Sequence, residues 1–220
     1  MNKKVIEIER INFEMEKDAH AYVEACESIF KSKIESIANY IYENKKTINV
    51  VLLSGPSSSG KTTTSSILID RLEQLGITSV TISTDDFFFD RAILDRNPDG
   101  TYDFENLKAT NLQLLKDCVY QLQNRGEAFF PRYDFITGEN IRNAKKIKKK
   151  ENQILIIEGI HALNPIIAND VLFEKCLKLY VCVFSNFTYK NKILLTAHEL
   201  RLTRRILRDC MTRGATTDYD

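Results

Sequence analysis

Residues 50–63 read VVLLSGPSSSGKTT. The first four are typical of a strand buried on both faces, and Gly55 to Thr62 then matches G-x-x-x-x-G-K-[ST] ahead of a predicted amphipathic helix. In this motif backbone N–H groups and the helix N-terminus bind phosphate, the lysine reaches the outer phosphates and the hydroxyl binds Mg²⁺. A coincidental Ser/Gly turn is the alternative, which the strand-then-helix context disfavours. We therefore predict a site for ATP or GTP with Mg²⁺, formed by Gly55, Ser57, Ser58, Ser59, Gly60, Lys61, Thr62 and Thr63.

The composition is that of an ordinary soluble protein. The 220 residues suit one α/β domain, and a net charge of +1 provides no bulk attraction to nucleic acid or an anionic membrane. Five cysteines without a C-x-x-C pair favour reduced thiols in the cytosol, and neither they nor the three scattered histidines predict a zinc site. No apolar run reaches membrane-spanning length, and no signal peptide is recognisable. We expect a cytoplasmic protein that binds small molecules, not nucleic acid or membranes, and that could form a homo-oligomer.

A long helix is predicted ahead of the phosphate loop. Apolar residues recur there at intervals of three and four and form one stripe that ends near Asn44. We expect residues 1–46 to be a leader helix packed on a domain of residues 47–220. A helix that couples the domain to an upstream segment of a longer relative is the alternative. The stripe consists of Val23, Cys26, Phe30, Ile34, Ile37 and Ile41.

Two further strands are predicted to end in acidic residues. Ser79–Ser83 leads to Asp85 and Asp86, and the apolar run 153–157 leads to Glu158. Because ligands in open α/β sheets collect outside the carboxyl ends of strands, these carboxylates are candidate site residues. Glu158 has the form of a Walker B acid that holds or orients hydrated Mg²⁺. The alternatives are a capped turn, a solvated acid and a core strand with an accidental terminal Glu.

The remaining elements are predicted from local patterns. Residues 129–150 predict a two-stranded excursion, because strand residues flank a turn, and its lysine-rich end is expected to be a solvated face. A further strand is expected at 177–184. Near the C-terminus four arginines share one face of a predicted helix, and such a face favours an anionic partner such as triphosphate over a solvated surface. They are Arg201, Arg204, Arg205 and Arg208.

This combination favours a small-molecule kinase. The sequence has neither the N-K-x-D motif of a guanine-reading GTPase nor an LSGGQ-type transporter signature. Phosphoryl transfer requires positioning and charge neutralisation, which Lys61, Mg²⁺ and the arginines, Arg204 and Arg208 among them, would supply. It also requires an acceptor hydroxyl that is held and partly deprotonated, for which Asp85 is the candidate.

From about Asn49 onward the sequence resembles the uridine kinase/phosphoribulokinase family of P-loop kinases, and most closely its bacterial uridine kinase-like members. The resemblance implies an α/β, P-loop NTPase-type parallel sheet of about five strands with helices on both faces. It also implies a small hairpin over the acceptor site and an Arg-rich lid helix. The strings that carry it are GPSSSGKTT (55–63), STDDFF (83–88), GTYDFENLKA (100–109), PRYDFITG (131–138), IIEGIHALNP (156–165) and RLTRRILRD with RGA (201–215).

The resemblance implies a reaction and roles for individual residues. ATP would phosphorylate the 5′-hydroxyl of a uridine- or cytidine-like nucleoside, Asp85 would take the hydroxyl proton, and Thr62 and Glu158 would bind Mg²⁺. The other implied roles are Asp103 on the ribose hydroxyls, Tyr133 and Phe135 near the base, Arg201 on the substrate, and Arg204 and Arg208 near the phosphates.

Two departures from the family pattern leave other functions open. Gly138 stands where uridine kinases carry a base-reading histidine, and the sequence ends at Asp220, where the family continues with another helix and strand. Loss of a base-reading hydrogen bond relaxes selectivity, so the acceptor could be another small alcohol, as in phosphoribulokinase or pantothenate kinase. From a different class comes a nucleotide-sensing module with negligible turnover, which the leader helix would serve.

Overall fold

The computed structural model describes residues 4–98 and 100–212. The end of the last resemblance string, residues 213–215, and the terminus at Asp220 lie outside the described residues. The strands are β1 (Lys4–Glu7), β2 (Val50–Ser54), β3 (Ser79–Ser83), β4 (Glu127–Asp134), β5 (Glu139–Lys148), β6 (Ile154–Glu158), β7 (Cys176–Tyr180), β8 (Ser185–Tyr189) and β9 (Lys192–Leu195). The α-helices are α1 (Ile8–Glu43), α2 (Lys61–Gln74), α3 (Leu112–Arg125), α4 (Pro165–Ala168) and α5 (Ala197–Thr212).

A parallel sheet with strand order β3-β6-β2-β7 forms the centre of the domain. Its apolar runs are buried on both faces, since Val50 to Leu53 and Ile156 to Ile157 have no exposed surface. Glu158 pairs in register with Leu53 on one side and Ser83 on the other. The carboxyl ends of these three strands therefore meet at one edge of the sheet.

Helices cover both faces of this sheet, which confirms the predicted α/β class. One face packs against α1 and α2 around Leu68, Leu72 and Ile77. The other packs against α3 and the β4–β5 hairpin around Leu115 and Phe130. Among the described residues the parallel sheet has four strands, whereas the resemblance implied about five. The strand expected at 177–184 is β7, which ends at residue 180.

The hairpin of β4 and β5 confirms the two-stranded excursion. The strands are antiparallel, from the pair Glu127–Lys148 to the pair Asp134–Glu139. Ile147 is buried against the core, while the lysines around it are exposed, as expected for a solvated face.

The first described residues form an element that the sequence patterns did not indicate. β1 pairs in parallel with β8, and β8 forms a hairpin with β9, giving a separate three-stranded sheet. The Glu9 carboxylate also accepts a hydrogen bond of 2.6 Å from the Lys190 backbone N–H. The start of the chain is thus attached next to the segment that leads into α5.

Helix α1 is packed on the domain through its C-terminal turns. Ile34, Ala38 and Ile41 are buried, but Val23 and Phe30 in the same predicted stripe are 47% and 41% exposed. The helix is interrupted at Asp18, whose carboxylate accepts a hydrogen bond of 2.9 Å from the Ala21 N–H and so caps the longer, C-terminal part of the helix. The periodicity predicted the helix correctly, but it could not show how far the helix extends beyond its partner α2. No described helix combines the length and apolar character needed to cross a membrane.

We propose that residues 47–220 form the domain and that α1 docks on it through this short segment. I41A should then lower the free energy of unfolding by about 2–5 kcal/mol, because it leaves a cavity between α1 and α2. F30A should change it by no more than about 0.5 kcal/mol. Urea unfolding followed by circular dichroism measures both, and equal losses would contradict docking through the C-terminal turns alone.

Candidate active site

The phosphate loop connects β2 to the N-terminus of α2. Gly60, the residue before α2, has φ of +101°, a left-handed conformation that favours glycine, and no side chain caps the helix. The Ser58 and Ser59 hydroxyl groups are buried without a hydrogen-bond partner among the described residues. Buried donors at an uncapped helix N-terminus fit a bound phosphate.

A cavity of about 370 Å³, here called the loop cavity, opens above this loop. Lys61 and Asp85 both line it, so β2 and β3 bring together the predicted phosphate-binding lysine and the predicted acid. Phe88, Phe104 and Glu105 line the side away from the loop. The other lining residues are Ser57, Ser58, Gly60, Thr62, Thr63, Ser83, Glu158, Gly159, Ile160, Arg204, Arg205 and Arg208.

Glu158 is buried between two hydroxyl groups of α2. The Thr62 hydroxyl donates to its carboxylate at 3.1 Å and the Ser65 hydroxyl at 3.3 Å. Burial raises the pKa of Glu158, while the Thr62 hydrogen bond and the positive charge of Lys61 oppose the rise. The described residues hold no group of three His, Cys, Asp or Glu side chains able to bind a metal alone. One carboxylate and one hydroxyl fit Mg²⁺, which takes its other oxygen ligands from phosphates and water.

The Lys61 ammonium group lies over its own loop. It donates hydrogen bonds of 2.9 and 3.1 Å to the Gly55 and Pro56 carbonyl oxygens. The positive charge is therefore already at the mouth of the predicted phosphate site.

The arginines of α5 occupy different positions. Arg204 and Arg208 line the loop cavity, whereas Arg201 lies outside its lining and donates to the Ser57 carbonyl oxygen at 3.4 Å. Arg205 pairs with Glu105 at 2.5 Å across the cavity, and Arg208 pairs with the adjacent Asp209 at 2.7 Å. Two of the four arginines therefore already have acidic partners within the protein, which the prediction of an anionic ligand did not include. Three of the four arginines, Arg204, Arg205 and Arg208, nevertheless line the loop cavity.

Asp85 and Asp86 diverge at a 3-10 turn, Thr84–Phe87, that follows β3. Asp85 lines the loop cavity. The Asp86 carboxylate instead points to the hairpin and accepts a hydrogen bond of 3.4 Å from the Tyr133 N–H. Burial, together with the negative charge of Asp85, raises the pKa of Asp86. Asp85 alone of this pair is placed for chemistry.

The structure does not bring Asp103 to the loop cavity. Asp103 is exposed, and its carboxylate accepts from the Glu105 N–H at 3.0 Å in a local turn. Glu105, two residues on, lines the cavity instead. His161 contacts this segment, with Nε2 2.8 Å from the Glu105 carbonyl oxygen.

Tyr133 and Phe135 pack in an aromatic cluster with Phe88 and Phe104. Ring centroids lie 5.1 Å apart for Tyr133 and Phe135, 5.5 Å for Phe88 and Tyr133, and 5.1 Å for Phe88 and Phe104. Tyr133 is 5% exposed and does not line the loop cavity. The cluster therefore presents Phe88 and Phe104 to the cavity and keeps the two predicted base contacts behind them.

Asn140 is a site residue that sequence reasoning missed. Its amide nitrogen donates to the Asp86 and Phe88 carbonyl oxygens, both at 2.9 Å, and its backbone N–H donates to the Asp90 carboxylate at 2.6 Å. The hairpin is thereby fastened to the turn that carries Asp85. No motif indicated this residue, since its side-chain amide binds backbone atoms about 50 positions earlier in the chain.

Comparison with known proteins agrees with this geometry. Residues 50–219 match the model of the "Phosphoribulokinase / Uridine kinase family". The chain belongs to this family. It is accordingly a P-loop kinase of small molecules, which is the activity that the sequence predicted at its coarsest level.

Individual relatives are distant. Uridine kinase of Ureaplasma urealyticum is 28% identical over 171 residues, which cover 78% of this chain and 73% of that protein. Uridine kinase-like protein 5 of Arabidopsis thaliana is 26% identical over 165 residues, covering 75% of this chain but 31% of that protein. A solved structure from Silicibacter sp. TM1040, described as a putative fructose transport system kinase, superposes with a TM-score of 0.59 at 18% identity. It covers 82% of this chain and 84% of its own, and it supports the fold.

The burial of Glu158 predicts that this side chain lowers the stability of the folded protein near neutral pH. Because its pKa is raised above the ordinary 4.5, its ionisation destabilises the folded protein progressively as the pH rises above that value. Without Mg²⁺, E158Q should therefore raise the melting temperature near neutral pH, and the gain should disappear toward about pH 4. Thermal melts across pH measure this, with the exposed Glu151 changed to Gln as the control. A gain independent of pH would contradict the prediction.

The Asn140 contacts predict a kinetic defect. N140D keeps the shape but replaces the donor with a carboxylate that repels two carbonyl oxygens, so the turn bearing Asp85 should shift. We expect kcat to fall by about 10- to 100-fold with little change in the KM for ATP. N143D, at an exposed position of the same strand, is the control. A normal kcat in a folded N140D protein would show that the hairpin does not position Asp85.

Proposed function

We propose that this protein transfers the γ-phosphoryl group of ATP to the 5′-hydroxyl of a uridine- or cytidine-like nucleoside, giving the monophosphate. The observation that carries the proposal is that Asp85 and Lys61 line one cavity at the carboxyl edge of the parallel sheet. Glu158 and Arg204 line the same cavity, as phosphoryl transfer requires. Relatives described as uridine kinases support a nucleoside as the acceptor.

In this proposal the loop and the lid hold the nucleotide. The triphosphate lies against the loop amides and the Ser58 and Ser59 hydroxyl groups, and Lys61 exchanges its carbonyl partners for the outer phosphates. Arg204 and Arg208 face the same space from the lid. Thr62 and Glu158 would hold Mg²⁺, which when bound neutralises charge on the phosphate oxygens.

Asp85 then serves as the general base. Its carboxylate takes the proton of the acceptor hydroxyl as the oxygen attacks the γ-phosphorus in line, and the bond to the ADP leaving group breaks. Glu105 is better placed than Asp103 to hold further acceptor hydroxyls, because it lines the cavity. Arg205, its present partner, would have to release it.

A second acceptor class has an observation in its favour. Tyr133 and Phe135 pack behind Phe88 and Phe104, so the cavity as it stands is small on the acceptor side. Such a cavity suits a small alcohol, in the manner of phosphoribulokinase or pantothenate kinase substrates. A nucleoside requires the cluster to open.

The proposal is tested by the fate of Asp85. With Mg-ATP and a nucleoside panel, D85N should lower kcat by a factor of about 10² or more, because the acceptor proton then has no base, while ATP affinity stays the same. D95N, at an exposed position, is the control. Product detection by chromatography and ATP binding by calorimetry provide the readouts.

The outcomes separate the candidates. Phosphorylation of sugars or pantothenate in place of nucleosides would favour the second acceptor class. ATP binding without turnover of any alcohol, and an indifferent D85N, would favour a nucleotide-sensing module and remove the kinase proposal.

A further inference from the structure

A second cavity, here called the hairpin cavity, lies at the turn of the β4–β5 hairpin. It measures about 760 Å³ and is lined by Arg91, Arg96, Tyr102, Gly138 and Asn140, among others. Apart from Asn140, which fastens the hairpin to the turn bearing Asp85, these side chains have no part in the proposed phosphate transfer.

Arg91 occupies the space that a side chain at position 138 would need. A Cβ atom built on Gly138 would lie 2.6 Å from Arg91 Nε and 2.8 Å from its Cζ, and the φ of Gly138 is +77°. A side chain at position 138 and the guanidinium group of Arg91 in its present place therefore exclude each other. Glycine at this position lets Arg91 fill it.

The guanidinium group is also fixed in place. Its Nη2 donates to the Phe135 carbonyl oxygen at 2.6 Å, and the Arg91 backbone N–H donates to the Gly138 carbonyl oxygen at 2.7 Å. Burial raises the pKa of the Tyr133 hydroxyl, and the charge of Arg91 opposes that rise. A donor held this firmly loses little conformational entropy when it binds a ligand.

The aromatic cluster separates Arg91 from the loop cavity. Phe88 and Phe104 line the loop cavity, and Phe135, whose carbonyl group Arg91 binds, packs 6.3 Å from Phe88 and 6.4 Å from Phe104. An acceptor held at Asp85 would have to pass these rings to reach Arg91.

The charges near Arg91 indicate which chemical groups of an acceptor could bind there. Two arginines, Arg91 and Arg96, and two acids, Asp90 and Glu139, line the hairpin cavity, so their formal charges cancel. This balance disfavours a strongly anionic group. A guanidinium group has five N–H donors and no acceptor, so it matches an edge that offers carbonyl or ring-nitrogen acceptors.

We propose that Arg91 selects the acceptor by donating hydrogen bonds to carbonyl oxygens of a neutral ring at the end remote from the reacting hydroxyl. This deepens the proposed function and rests on it, since the ring is then the base of the nucleoside. Phe88 and Phe104 would contact the body of the substrate between the two ends.

Steady-state kinetics with Mg-ATP test the role of Arg91. R91A should raise the KM for uridine or cytidine about 10-fold or more, since a hydrogen bond from a charged group is lost. Neither kcat nor the KM for ATP should change more than about twofold, and R91K should restore part of the affinity. R142Q, which removes a charge from an exposed position of the same hairpin outside the hairpin cavity, is the matched control and should act like the wild type.

A second pair of variants guards against misfolding of R91A. G138A keeps the arginine but displaces it, so it should raise the acceptor KM in the wild-type background and add nothing in the R91A background. Additive effects, an unchanged KM in R91A, or an equal loss in R142Q would overturn the proposal. A preference for pantothenate or a sugar phosphate over both nucleosides would also overturn it.

Failure of the proposed kinase activity can be distinguished from failure of the proposal for Arg91. If the wild type phosphorylates no alcohol, calorimetry of uridine and cytidine binding still decides the role of Arg91. Binding that R91A weakens and R142Q does not would support it, and absence of binding by the wild type would overturn it.

Discussion

The buried carboxylate of Glu158 is the constraint on which the site depends. It stands in register between Leu53 and Ser83, so one side chain lies between the strand that leads into the phosphate loop and the strand that leads to Asp85. Two hydroxyl groups of α2 bind it from the side. Desolvation of this acid costs folding energy, and a divalent cation is the partner that would offset the cost. The parallel register thus brings the phosphate loop, Glu158 and Asp85 together before any ligand binds.

The acceptor side is built differently, from long-range contacts between a hairpin and a turn. The Asn140 side chain donates hydrogen bonds to the backbone of the turn after β3. In the opposite direction, the Tyr133 N–H of the hairpin donates to the Asp86 carboxylate of that turn. The hairpin is therefore attached by hydrogen bonds to the turn that carries Asp85.

The sequence predicted those parts of the site in which short-range pattern and chemistry coincide. The loop directly follows β2, Asp85 lies two residues after the end of β3, and Glu158 is the last residue of β6, so the strand ends fix their positions. Asp103 shows the limit, because in an irregular segment a shift of two residues decides which acid, Asp103 or Glu105, faces the cavity. Arg91 and Asn140 act through backbone atoms distant in the chain, and no local spacing reports such partners. The apolar stripe of α1 was predicted from its periodicity, but periodicity does not show over what length the helix has a packing partner.

The pairing of β1 with β8 has a consequence for the order of assembly. It joins residues 4–7 to residues 185–188 and so closes a loop of almost the whole described chain around the central sheet. The entropy lost in closing a chain segment grows with its length, and contacts between such distant residues form slowly. During biosynthesis β1 leaves the ribosome well before its partner strand β8, because residues 8–184 lie between the two strands. This small sheet is consequently a late step of folding, completed after the core that surrounds the phosphate loop.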